Sequence, residues 1–511
     1  MDAPVPLIVV AALAALALLA RGPRARATVM LLALLLTPVL LIAHIYDSAQ
    51  FRPLRDHAGL AVGAGAGGLV VVGLLAWLFV RRPPALALAA AFTIPFRIPI
   101  GTGGGTANLL VPLYVVIAAG TIAYAWPILF GPDDPPEEPR PRVLEWALGG
   151  YLLLYAIQAA YSSDFARALE QVVFFYVPFA LLYVLLARLE WSRRLLAGCL
   201  GVLAGLALAF ACIGFVEYGT RHLLLNPKVI ASNQLESYFR VNSLFFDPNI
   251  YGRFLAIVMV FVTAAILRRR GTGEVAAGGA ALAVLWAGLV LTLSQSSFVA
   301  LLVGLAILGG LTWSGRWALG LSLIAIALGA GFLAVAPNAV HLDLGSSKSA
   351  DTATSGRYGL ITGGIDLFRA KPLAGYGSGA FPREYRRHTH ASAQRATSAS
   401  HTIPITVAAE QGVVGLAVYL ALLAAAFWRL FDGARGIAAR CAVAAAFAAL
   451  VVHTFMYAAF LEDPLAWALL GVGTALARAM PRLVRHRRPP AAVPEDEPVA
   501  APAAVRSPAQ A

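Results

Sequence analysis

Apolar residues run along this chain in long unbroken stretches, and polar residues gather in the gaps between them. A run of about 17–25 apolar residues is enough to cross a bilayer as a helix. Inside hydrocarbon a segment must satisfy its own backbone hydrogen bonds, which leaves helices and closed barrels. The runs here are continuous and do not alternate, so they predict helices. Spans are expected over residues 5–20, 28–44, 58–80, 84–99, 107–129, 143–160, 170–187, 195–217, 248–267, 275–293, 296–313, 317–336, 402–428, 436–459 and 464–480.

Every second polar gap is basic. Arg21, Arg24 and Arg26 follow the first span, Arg81 and Arg82 the third, and Arg140 and Arg142 the fifth. Arg188, Arg193 and Arg194 follow the seventh, Arg268, Arg269 and Arg270 the ninth, Arg316 the eleventh, and Arg429 and Arg435 the thirteenth. Arg482, Arg485, Arg487 and Arg488 follow the last. This is the positive-inside pattern. It puts the C-terminus in the cytoplasm and residues 338–401 outside, and an odd span count puts the N-terminus outside too. The expected fold is an all-α polytopic membrane protein with about 12–15 transmembrane helices and a large extracytoplasmic loop containing short helices. The expected divisions are an N-terminal bundle over 1–337, an extracytoplasmic catalytic loop over 338–401, C-terminal helices over 402–480, and a disordered cytoplasmic tail over 481–511, too rich in Pro and Ala to bury a core.

Composition overrules the several soluble domains that 511 residues would otherwise allow, since 59% are hydrophobic and 13% charged, with a mean hydropathy of +0.76. The net charge of +13 lies mostly in short loops, where topology and membrane lipid headgroups account for it, so no nucleic-acid partner is expected. Cys199, Cys212 and Cys441 sit inside apolar runs with no metal spacing, so no disulfide is expected. The first apolar run has no charged segment before it and no cleavage site, and reads as a span and not a signal peptide. No metal constellation, phosphate loop, dinucleotide fingerprint or Gly-x-Ser-x-Gly elbow is present, so neither metal nor cofactor is expected.

Candidate chemistry concentrates in the 338–401 loop, which holds eight cations against four acids. Ser355 is placed to cap a helix starting near 356–357, and Lys371-Pro372 to end it. Leu360, Ile361, Ile365 and Phe368 fall at helical spacing and are expected to lay one face on the membrane surface. Arg357 then sits in the first turn, where free backbone N–H groups already favour an anion, although a solvated cation on an interfacial helix fits the residue type as well. His401 stands where the loop re-enters the membrane. It can titrate near neutrality and act as a base, or serve only as a helix-end residue. Gly412 and Gly415 would let a neighbouring helix approach closely. The segment from Arg240 through Asp247-Pro248-Asn249 reads as a helix start at the outer end of a span. Arg240 has no evident structural duty there and could share a diphosphate with Arg357. His453 is the ionisable exception inside a late span.

Taken in order, these residues resemble a known family. Arg240-x-Asn with Phe-x-Asp247-Pro-Asn249, then Thr292-Leu-Ser294-Gln-Ser-Ser297, then Gly356-Arg357 with Phe368-x-x-Lys-Pro-Leu-x-Gly375-x-Gly377, then His401 with Glu410-x-Gly412-x-x-Gly415, resemble the O-antigen ligase and polymerase superfamily of bacterial envelopes. The resemblance implies a GT-C-like membrane enzyme in the cytoplasmic membrane, its site on the extracytoplasmic face. It implies metal-independent, inverting transfer of an undecaprenyl-diphosphate-linked glycan onto a lipid or glycan acceptor. By motif position His401 would activate the acceptor hydroxyl, and Arg357 and Arg240 would hold the diphosphate. Asp247, Asn249, Gly375, Glu410, Gly412 and Gly415 would be structural motif positions. Thr402 stands where ligases carry Asn, Ser or Gln after the His, and Gln295 where many relatives carry Arg, which draws a polymerase of the same fold close to the ligase. A transporter or flippase of lipid-linked sugars is the rival from another class. It should carry ionisable groups near mid-span, whereas most spans here are clean.

Overall fold

The computed structural model describes residues 4–46, 56–102, 105–132, 140–224, 239–269, 271–313, 357–389, 400 and 402–485. Residues Met1–Ala477 form one compact unit and Arg478–Ala511 a second, of which the described part is helical. The first half of the chain comprises α1 (Pro4–Leu19), α2 (Pro23–Ile45), α3 (Ala58–Arg81), α4 (Pro84–Thr93), strands β1 (Ile98–Thr102) and β2 (Gly105–Leu109), α5 (Val111–Phe130) and α6 (Val143–Ala159). Then come α7 (Phe165–Gln171), a π-helical turn (Val172–Tyr176) and α8 (Val177–Arg188) in one continuous run, followed by α9 (Arg193–Thr220), α10 (Pro248–Ile266), α11 (Thr272–Thr292) and α12 (Gln295–Thr312). The last group is α13 (Arg357–Ala370), α14 (Phe381–Thr389), α15 (Ile403–Phe431), α16 (Ala438–Thr454) and α17 (Pro464–Arg485).

Among the described residues nine helices are long and apolar enough to cross a membrane, and five shorter apolar helices accompany them. They coincide with the spans expected from the apolar runs, and the chain is a multi-pass, all-α membrane protein with one small hairpin added. The span expected over 317–336 lies outside the described residues. The span expected over 84–99 needs correction. Its helix stops at Thr93, and ten residues rise only about 15 Å. Pro95 and Pro99 lack the N–H that a continuing helix needs, and the chain instead forms the antiparallel pair β1–β2, with Thr102 opposite Gly105. The next span accordingly begins at Val111 and not near 107.

Helices that are apolar all round sit in the middle, as expected when no side can face water. In α8 the residues from Phe179 to Ala187 are all buried, and α10 and α16 are buried along most of their length. α16 is alanine-rich, so its neighbours come close. A Cβ on Gly304 of α12 would lie 2.8 Å from Val260 and 3.1 Å from Ala449, so this crossing depends on small residues. α3 is exposed along most of its length, with Leu69, Leu74 and Trp77 outward, the composition of a lipid-facing helix. The π-turn leaves the Phe174 carbonyl to accept a hydrogen bond from the Tyr114 hydroxyl at 2.8 Å, tying α5 to the α7–α8 run.

Candidate functional site

The expected motif residues stand at helix ends and at the turns between helices. α13 follows the sequence expectation, opening at Arg357 among the described residues and closing at Ala370, just before Lys371-Pro372. Its buried stripe is Leu360, Gly363, Gly364 and Leu367, an i, i+3, i+4, i+7 face. That face is covered by protein. It packs on Phe381 and Tyr385 of α14 and on Ile405 and Ala409 of α15, while Ile361, Ile365 and Phe368 are half-buried at its flanks. Two glycines carry the contact, and an apolar pattern passes over them. A Cβ on Gly363 would lie 2.5 Å from the Tyr385 ring, and one on Gly364 2.6 Å from Ile405.

Between α13 and α14 the chain turns through Gly375, Gly377 and Gly379, all with left-handed φ (+67°, +93° and +76°). Each is pressed against another backbone. Gly375 meets the Glu410 carbonyl, Gly377 meets Ser162, and Gly379 meets Ala168, leaving no room for a side chain. On the α15 side, Tyr376 N–H donates to Ala409 O (3.3 Å), Gly377 N–H to Glu410 O (2.8 Å) and Val413 N–H to Pro372 O (2.7 Å). On the α6 side, Ser378 Oγ donates to Tyr155 O (2.8 Å), Ser162 Oγ to Ser378 O (2.7 Å) and Tyr161 OH to Ala374 O (2.7 Å). The buried Glu410 carboxyl accepts from Gly379 N–H (2.9 Å) and Phe381 N–H (3.1 Å) and so meets free backbone donors at the N-terminus of α14. Gly412 breaks α15 at φ +67°, ψ −164°, and a Cβ there would lie 2.2 Å from Leu373 O. Gly415 makes room for the Gln411 side chain, whose Cβ lies 2.1 Å from where a Gly415 Cβ would be. The motif Glu410-x-Gly412-x-x-Gly415 is therefore the seat of the Gly375–Gly379 turn. Gly412→Ala is expected to cost about 1–3 kcal/mol from its backbone conformation alone, before the clash with Leu373 is counted. The check is the thermal midpoint in detergent, where an unchanged value would mean that the break is not needed.

A second corner is built on the start of α10. Asp247 Oδ1 accepts from Asn249 N–H at 2.7 Å and caps the helix. The Tyr457 hydroxyl also hydrogen-bonds Asp247, and burial together with that carboxylate pushes the hydroxyl's pKa up. Arg240 proves to have a structural duty, since its Nε donates to Thr292 O (2.9 Å) at the end of α11 and its Nη2 to Asn249 Oδ1 (3.2 Å). The serine motif closes the corner. Ser296 Oγ and Ser297 Oγ lie 3.1 and 3.2 Å from Nε2 of the buried His453, and Ser297 Oγ donates to Asn249 O at 3.3 Å. His453 thus joins α16 to the starts of α10 and α12, and Gln295 of the same motif is exposed.

Sequence reasoning missed a third group. Arg253 Nη2 lies 2.6 Å from Asp463 Oδ2 with both side chains buried, and Arg253 Nη1 donates to Ala459 O at 2.9 Å. Asp463 Oδ1 accepts from Leu465 N–H at 2.9 Å and caps α17. Arg97 lines a cavity with Asp463, Phe245 and Phe254 whose volume of about 10 Å³ holds about one water. Burial pushes the neighbouring Glu462 carboxyl up, against the pull of Arg167, Arg97 and Arg253. The signals were present in the sequence. Arg253 is a cation inside an apolar helix, which must find an anion, and Asp463-Pro464 repeats the Asp247-Pro248 helix start.

The 455–463 segment links these corners. Phe455 O accepts from Thr402 Oγ1 at 3.2 Å, and Tyr457 reaches Asp247. Thr402 opens α15, and Ser400 ties back to it through Ser400 Oγ to Thr402 O (2.7 Å) and to Thr406 Oγ1 (2.9 Å). His401, between them in sequence, lies outside the described residues, as does Ser355. Of Arg357 only the backbone is described. The structure thus brings Arg240, Asp247 and Asn249 into one corner and Gly375, Glu410, Gly412 and Gly415 into another. Among the described residues no cluster of His, Cys, Asp and Glu is arranged to hold a metal ion.

Compared with known proteins, residues 279–420 match the family described as O-Antigen ligase. No curated protein matches the chain. The matched segment takes in the serine motif, α13, the glycine turn and its seat on α15, in agreement with the superfamily resemblance carried by those same motifs.

Proposed function

Since residues 279–420 carry an O-antigen ligase domain, we propose that this membrane protein is a glycosyltransferase that moves an undecaprenyl-diphosphate-linked glycan onto a lipid or glycan acceptor. The observation that carries the reading is that domain match, covering the segment whose turn, seat and helix starts meet at one end of the bundle. In this reading that end faces away from the cytoplasm, as the alternating arginine loops require. The donor's lipid stays in the bilayer while its diphosphate lies at the rim of the bundle. Arg357, in the first described turn of α13, holds the diphosphate through its planar fork. Arg240 is a second contact, its fork already oriented by Thr292 and Asn249. His401 takes the proton of the acceptor hydroxyl as that oxygen attacks the anomeric carbon, and the diphosphate leaves with its developing charge met by the guanidinium groups. The reaction is metal-independent and inverts the anomeric centre.

The experiment that tests the reading is the size of carrier-linked glycan in cells lacking the protein. Loss of a ligase leaves full-length polymer on the lipid carrier, and loss of a polymerase leaves single repeat units there. Complete glycan on the carrier together with normal transfer to the acceptor would overturn both. A cysteine at Ser392 is expected to react with a membrane-impermeant thiol reagent in intact cells, and labelling only after lysis would reverse the orientation. Arg357→Lys keeps the charge and loses the fork, so donor affinity is expected to fall, and to fall further in Arg357→Ala. Titrating purified variants with lipid-linked donor checks this, and equal affinity in all three proteins would remove Arg357 from the site.

A further inference from the structure

α15 has 29 residues, roughly 43 Å of helix, against a hydrocarbon core of about 30 Å. Its surface changes character at the break. From Ile403 to Gly412 no described residue is exposed. From Val413 onward an apolar stripe faces outward through Val414, Ala417, Leu420, Ala424 and Trp428. The 19 residues from 413 to 431 rise about 28 Å, the thickness of the hydrocarbon. Residues 413–431 are thus long enough and outward enough to meet the acyl chains, whereas residues 403–412 are covered by protein.

That boundary is where the turn between α13 and α14 touches α15. Val413 N–H donates to Pro372 O at 2.7 Å. Leu373, the next residue, is 72% exposed, beside Val413 and Val414 at 46% and 48%. Cations and aromatic rings flank it. Lys371 is exposed with its Nζ 4.3 Å from the Tyr376 ring, Arg369 is exposed one turn of chain earlier, and the half-exposed Tyr161 donates to Ala374 O. An exposed leucine at the depth where a helix turns lipid-facing, with Lys, Arg and Tyr around it, has the composition of a membrane-interface anchor.

We propose that residues 371–374 are seated in the bilayer, with Leu373 among the upper acyl chains and Lys371 and Arg369 at the headgroup phosphates. The patch continues the lipid-facing stripe of α15, and its cations suit an anionic headgroup layer. The turn makes this contact beside the Leu360–Leu367 stripe of α13, which packs on α14 and α15. This seat does not depend on which glycan the protein moves.

The test uses the full chain in nanodiscs of phosphatidylethanolamine and phosphatidylglycerol, with Cys199, Cys212 and Cys441 replaced by alanine. A nitroxide is attached at Leu373→Cys, at Leu420→Cys as the lipid-facing reference, or at Arg386→Cys on the exposed face of α14 as the aqueous reference. Power saturation is expected to give Leu373→Cys a preference for oxygen over a water-soluble nickel chelate that falls on the Leu420 side. A ratio equal to that at Arg386 would overturn the proposal. Should the cysteine-free protein fail to fold, a benzophenone amino acid at position 373 of the otherwise native chain gives the second readout. A phospholipid adduct found by mass spectrometry supports the seat, and its absence under conditions that label position 420 overturns it.

Discussion

A His401→Ala protein is expected to bind lipid-linked donor as the native protein does and to transfer its glycan roughly 10²–10⁴-fold more slowly. That range is what a positioned base contributes when the nucleophile is a sugar hydroxyl, which is a weak nucleophile until its proton is taken. The flanking residues make the substitution clean. Ser400 and Thr402 are fixed by each other, by Thr406 and by Phe455 O through their own hydroxyl and backbone groups, none of which the change removes. Folding should therefore be spared, and the loss should appear in the chemical step and not in donor affinity. The native rate should fall toward acid pH, because a protonated ring cannot accept the hydroxyl proton. Single-turnover transfer, measured beside donor binding across pH 5–8, decides the matter. Transfer by His401→Ala at the native rate, or a native rate indifferent to pH, would leave His401 a helix-end residue only.

The largest expected effect on stability belongs to Arg253. Arg253→Met removes the direct ion-pair partner of the buried Asp463 and leaves only Arg97 nearby, and it is expected to destabilise the protein by about 3–5 kcal/mol. The same change removes the donor to Ala459 O. Asp463→Leu strands the arginine in turn and also removes the cap of α17. The double variant Arg253→Met/Asp463→Leu removes both members of the pair and leaves Arg97 and Glu462 to compensate each other, so it should be less damaged than the sum of the two single changes. Thermal midpoints of the four proteins in one detergent form the cycle. Strict additivity would show that the two charges do not depend on each other.

The span map and the helix from Arg357 to Ala370 could be read directly from the sequence, because long apolar runs and a Pro-terminated segment carry their physics locally. The α4 error came from counting Ile94, Phe96 and Ile98 as apolar span while the prolines among them withheld their N–H groups. The candidate site was legible by residue type, since the glycines, Glu410 and the Asp-Pro-Asn start all stand at structural joints. What those joints hold was not legible. Nothing in Gly375 or Glu410 alone says that one sits on the other's carbonyl, because the contact joins segments 35 residues apart in the chain. Arg240 was read as free for a ligand because its partners, Thr292 O and Asn249 Oδ1, lie across a helix corner that no local pattern reveals.

The seat of the glycine turn also bears on the order of assembly during synthesis. One wall of it, at Tyr155, Tyr161 and Ser162, leaves the ribosome more than 200 residues before the turn that it holds, and the opposite wall at Glu410–Val413 leaves last. Contacts of such long sequence separation form late, since the entropy of closing the intervening chain must be overcome first. Until α15 emerges, the turn lacks the Glu410 carboxylate and the carbonyls of Ala409 and Glu410. A nascent chain stopped before Ile403 would hold most of its membrane helices while the glycine turn still lacked its second wall, and the corners at His453 and Asp463 would wait for the helices after α15.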